Sequence, residues 1–106
     1  MRAILCRDTT GLDGLDHADF PVPTPGPGQV RIAVAAAGVN FADSLMITGR
    51  YQERPGLPFV PGLEIAGRID AVGDKVEGLS PGRRVLAVVD GGGFAEQALA
   101  NAADVV

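Results

Sequence analysis

Glycine and proline interrupt this chain at short intervals: 15 Gly and 8 Pro lie among its 106 residues. Proline has no amide donor for a ladder or helix interior, and glycine loses the most freedom on ordering, so neither suits the middle of a long element. Few periodic apolar runs survive between them. The pattern predicts mainly β structure, built from short strands and many turns. The run Pro21-Val22-Pro23-Thr24-Pro25-Gly26-Pro27-Gly28 cannot supply enough donors to sit inside a sheet and reads as a surface connection.

Arg2 to Cys6 reads as a strand, Gly11 to Gly14 as a turn, and the next segment as extended up to about Phe20. From Gln29 to Ala37 the apolar Val30, Ile32 and Val34 alternate with Arg31 and Ala33, the period of a strand with one buried face. Asn40 stands where a helix cap belongs, and Asp43 adds negative charge to the first turn, where the helix dipole favours it. A short helix is expected over residues 41–48, with Ala42, Leu45 and Met46 on one side, Phe41 flanking them, Ile47 off the stripe and Gly49 as a left-handed stop. Pro55, Pro58 and Pro61 keep the following segment irregular. Leu63, Ile65, Gly67 and Ile69 then alternate with Glu64, Ala66, Arg68 and Asp70 as the clearest strand. Turns at residues 73–75 and 78–82 lead to a strand over 84–89, and Asp90-Gly91-Gly92-Gly93 reads as a hairpin bend into a last strand from Phe94 to Ala100. Seven or so extended segments and one short helix result, with no internal repeat.

Size allows one domain with a modest core. Apolar residues make up 46% and charged residues 21%, ordinary for a globular chain. Nine basic against 13 acidic side chains leave a net charge of −4, with no basic cluster to follow a phosphate backbone, so nucleic acid is not an expected partner. No apolar run approaches the roughly 18 residues of a membrane-spanning helix, and no membrane partner is expected. The single Cys6 allows no internal disulfide, and the amino-terminal apolar stretch is too short for a secretory signal. A reducing cytoplasm is the expected location.

Two motifs carry the functional reading. Ala37-Gly38-Val39-Asn40-Phe41-Ala42-Asp43, followed by Pro61-Gly62-Leu63-Glu64-Ile65-Ala66-Gly67, resembles the paired substrate-site motifs of the medium-chain dehydrogenase/reductase superfamily. Zinc-bearing members read roughly Gly-x-Cys-x-Thr-Asp and Gly-His-Glu there, the Cys and His being metal ligands. This chain has Asn40 and Leu63 instead, so the look-alikes are the zinc-independent quinone oxidoreductases, whose first motif also carries Asn-Phe-x-Asp. The resemblance implies a GroES-like, partly open β-barrel over residues 1–106, the substrate-side domain. It also implies a Rossmann nucleotide-binding domain and closing strands that are not among these residues. A turn usually reading Gly-Asp is Gly82-Arg83 here, a change with little bearing on chemistry.

A catalytic zinc needs three protein ligands and an open position. One Cys and one His, Cys6 and His17, both outside the motifs, offer that only in chance company with Glu64 or Asp43, so no metal is expected. Ala42 replaces the hydroxyl that starts a proton relay in zinc-bearing relatives. Without a Lewis acid an alcohol keeps its proton, whereas a quinone or conjugated carbonyl accepts hydride into its own π-system and needs only hydrogen-bond donors at its oxygen. Asn40 and Tyr51 are the candidates to orient that carbonyl, as catalytic residues touching the acceptor; Asn40 serves equally as a helix cap, and Tyr51 as an ordinary half-buried aromatic. Asp43, with no His to hold, reads as a first-turn charge, Glu64 as half of a structural ion pair with a nearby Arg, and His17 as a surface residue. The glycine run 91–93 opens no helix after a strand and is not a phosphate loop. NADPH is implied by the family alone, bound through the absent domain with Asn40 a possible contact.

The chain therefore reads as the substrate domain of a zinc-independent NADPH-dependent quinone or enone reductase, inactive by itself. The rival is a non-enzymatic GroES-like binding or assembly module or a truncated fragment, whose open strand edges would favour self-association.

Overall fold

A computed structural model describes residues 1–106. Six strands, one α-helix and two short 3₁₀ turns follow the chain: β1 (Arg2–Cys6), β2 (Leu15–Asp19), β3 (Gln29–Gly38), α1 (Phe41–Met46), β4 (Glu64–Val72), β5 (Arg84–Val88) and β6 (Gln97–Asn101). The strands form a two-stranded sheet, β1-β2, and a four-stranded antiparallel sheet ordered β5-β4-β3-β6. The sheets stand open and do not close into a barrel. In keeping with the expected alternation, Val30, Ile32, Ile65, Ile69, Val85 and Ala87 point inward and form one core with Val89, Ala98 and Ala100. Ile32 and Ile69 are 0% and 1% exposed, each contributing about 1.5–3 kcal/mol through burial. A smaller cluster of Ala3, Leu5 and Val60 backs the β1-β2 sheet.

The long pair β3-β4 slips register twice, between Arg31 and Ile32 and between Val34 and Ala36. Each slip is a bulge that bends the pair. At the first, Asp70 accepts from Arg31 Nε at 2.7 Å and from Gln97 Nε2 at 2.6 Å, tying β3, β4 and β6 together. A guanidinium hydrogen of Arg31 also reaches the Pro23 carbonyl at 3.2 Å, which anchors the proline-rich connection to the sheet.

Three expectations need correction. The last extended segment is shared between sheets: Ile4 N–H donates to Phe94 O at 2.8 Å and Glu96 N–H to Arg2 O at 3.1 Å, while Val34 N–H already takes Glu96 O at 2.9 Å. Only residues from Gln97 onward therefore run as β6. The helix is shorter than residues 41–48 and buries Asp43, Met46 and the following Ile47 rather than an Ala42-Leu45-Met46 stripe; Phe41 is 79% exposed. Its rotation is set by Asp43, which is drawn inward by the Gly62 N–H, 19 residues along the chain. Gly49, at φ 71, stops it as expected, with Gly49 N–H to Met46 O and Arg50 N–H to Leu45 O as the paired closing bonds.

The third correction concerns the glycine run. Residues 91–93 do more than turn the chain: Gly92 N–H donates to Val60 O at 2.7 Å, Gly93 N–H to Gly62 O at 3.1 Å and Phe94 N–H to Pro61 O at 2.9 Å. This backbone seam fastens the second motif to the start of the last segment. No helix is long and apolar enough to cross a membrane.

Candidate acceptor site

Where β3 ends, the chain turns at Asn40, whose extended backbone (φ −118°, ψ 160°) admits it to α1 as the cap. Asn40 and Asp43 form a reciprocal capping box. Asn40 N–H donates to Asp43 Oδ2 at 2.9 Å, while the Asn40 side chain faces the Asp43 N–H, which also bonds the Asn40 carbonyl at 3.0 Å. The side-chain NH₂ of Asn40 donates to no group of the chain, and the residue is exposed. The Asn40 side chain makes no cap hydrogen bond of its own, so its amide stays free at the surface.

The other oxygen of Asp43, Oδ1, accepts from Gly62 N–H at 3.2 Å. One carboxylate, only 4% exposed, therefore joins both motifs. Each charge-assisted bond is worth about 1.5–3 kcal/mol, and the positive end of α1 lies beside it. Pro61 and Gly62 are buried, and Leu63 follows half-buried, its carbonyl accepting from Val89 N–H at 2.8 Å. The Asn-x-x-Asp spacing signals the box in sequence. Nothing local signals the bond to Gly62.

Tyr51 lies in the bend after α1, half-buried, with its hydroxyl donating to no group of the chain. No hydrogen bond joins it to Asn40. Two apolar hollows lie elsewhere: one of about 370 Å³ between Phe20, Met46, Phe59, Val60 and Leu99, the other of about 530 Å³ over Ala37, Ala66, Leu86, Val88 and Val106. Asn40 and Tyr51 line neither.

Glu64 forms no ion pair. Its register partners are Gly38 and Val88, neither basic, and its side chain lies over Gly38, where a Cβ would collide with it. The nearby Arg68 instead donates to the Gly82 carbonyl at 3.0 Å. Cys6 is buried in β1 and His17 exposed on β2. Burial, then the charge of Asp8, raises the Cys6 thiol above its ordinary pKa, partly offset by a hydrogen bond with the Asp8 backbone. No three His, Cys, Asp or Glu side chains are grouped to hold a metal ion. In the glycine run, the N–H groups of Gly92 and Gly93 are engaged in the seam with Val60 and Gly62.

The family model of the alcohol dehydrogenase GroES-like domain matches residues 26–106. The chain belongs to that family. It is 43% identical over 102 residues to the quinone oxidoreductase of Lama guanicoe, covering 94% of this chain and 31% of the relative. Among solved structures, human synaptic vesicle membrane protein VAT-1 homolog-like protein superposes with a TM-score of 0.96 at 35% identity, over 100% of this chain and 34% of that one. The Thermus thermophilus quinone oxidoreductase, solved also with NADPH, gives 0.82 at 34% identity, over 100% and 32%. This GroES-like chain thus spans about a third of the length of those relatives, and it is a domain of an oxidoreductase family.

Proposed function

We propose that this GroES-like domain is the acceptor side of an NADPH-dependent reductase of quinones or α,β-unsaturated carbonyls that works without zinc in the cytoplasm. The carrying observation is Asn40: it occupies the place of a metal-binding Cys in zinc-bearing relatives, and its NH₂ is exposed and unengaged at the end of β3. An amide donor there stabilises the negative charge that grows on a quinone or enone oxygen as hydride arrives at the ring or β-carbon. Tyr51 supplies a second donor from the bend after α1. NADPH would be held by a nucleotide-binding domain outside these residues, so the chain alone has no turnover.

The test is the complete protein with NADPH or NADH and 1,4-benzoquinone, before and after exhaustive treatment with a zinc chelator. NADPH-driven reduction at an unchanged rate is expected. Loss of the rate on chelation, restored by Zn²⁺, would refute the zinc-free reading.

A binding or assembly module is the second reading, favoured by one feature. Leu86 and Val88 on β5 are 59% and 67% exposed around the larger hollow, an apolar edge of the kind that pairs with another strand. A second copy of the chain is the proposed cover. Sedimentation of residues 1–106 should then show association that grows with concentration; a strictly monomeric particle removes this reading.

A further inference from the structure

Asp43 is the one charged side chain buried in this chain, and the chemistry proposed above makes no use of it. Burying a carboxylate costs several kcal/mol, whereas a favourable first-turn charge is obtained as well from an exposed acid. The burial has a geometric result: one oxygen holds Asn40 N–H at 2.9 Å and the other Gly62 N–H at 3.2 Å. Apolar packing does not hold Asn40, because its neighbours Val39 and Phe41 are 82% and 79% exposed. Gly62, by contrast, is fixed by the Gly93 bond, and Pro61 beside it by the Phe94 bond.

We infer that Asp43 is the positioning residue of the acceptor site, its carboxylate clamping Asn40 to the buried Pro61-Gly62 turn so that the Asn40 amide meets the acceptor oxygen at a set place. The inference rests on the role proposed for Asn40. Asp43→Asn keeps the shape but replaces one accepting oxygen with an NH₂, leaving one backbone N–H without its partner. Misplacing a reacting partner by a fraction of an ångström costs rate rather than remote binding.

The complete reductase carrying Asp43→Asn should lose about tenfold in kcat with 1,4-benzoquinone, while KM for NADPH is unchanged. The double variant Asn40→Ala/Asp43→Asn should be no slower than Asn40→Ala alone, since the second change acts only through the first. If Asn40→Ala slows the enzyme and Asp43→Asn slows it further by its full factor, the positioning role is refuted while the role of Asn40 stands. If Asn40→Ala keeps the full rate, the reading of the site fails and this inference with it. Should Asp43→Asn not fold, amide exchange in the unaltered complete protein decides: Asn40 and Gly62 N–H are expected to exchange more slowly than Phe41 N–H at the open first turn, and equal rates overturn the clamp.

Discussion

Replacing Gly62 with alanine should destabilise this chain by about 3 kcal/mol or more, a large share of the roughly 5–15 kcal/mol that holds a small domain together. Two costs coincide there. Gly62 has φ +109°, where an L side chain is strained, and a Cβ would lie 2.7 Å from Phe94 N and 2.8 Å from Gly93 Cα. Those are backbone atoms already engaged in the seam with Pro61 and Gly62, so relief requires moving the junction itself. Gly78→Ala is the control, with φ +77° and nothing within 4 Å of its Cβ; it carries only the conformational cost, about 1–2 kcal/mol. Urea unfolding of both variants checks the difference. Equal losses would show that the close approach is relaxed without penalty, and that the second motif is not pinned by the seam.

That junction also marks the limit of what the sequence discloses. Period-two alternation is a local signal, and it reveals β3, β4 and β5 because each has one face against a single core. The cap at Asn40 and the stop at Gly49 are equally local, resting on bonds between residues a few positions apart. The buried face of α1 is different: Asp43 turns inward because Gly62, 19 residues away, offers it an N–H. The partner switch at Glu96 depends on Arg2 and Val34, both far from it in the sequence. Glu64 misled for a related reason, since an alternating acid near several Arg suggests pairing, but the register placed Gly38 and Val88 beside it. At the candidate site, the Asn40-x-x-Asp43 spacing and the Asn and Leu at positions 40 and 63 are plain in the sequence. It could not show that one carboxylate connects the two motifs.

On the proposed function, Asn40→Ala in the complete protein should lower kcat for 1,4-benzoquinone by about 10², the loss seen when one donor is removed from a developing oxyanion. Alanine also removes the side chain of a helix cap, worth about 0.5–2 kcal/mol of stability, so a slow enzyme could merely be a partly unfolded one. Asn40→Asp separates the two effects. Aspartate caps as well as asparagine and leaves Asn40's backbone bond to the Asp43 carboxylate in place, but an ionised carboxylate donates nothing and repels the charge growing on the acceptor oxygen. The aspartate variant should therefore unfold at close to the parent urea concentration and yet reduce benzoquinone at least as slowly as the alanine variant. Near-parental rates for Asn40→Asp beside a slow Asn40→Ala would assign the residue to capping alone. Slow turnover in both, with stability lost only in the alanine variant, isolates the amide hydrogens as the group that the acceptor oxygen meets.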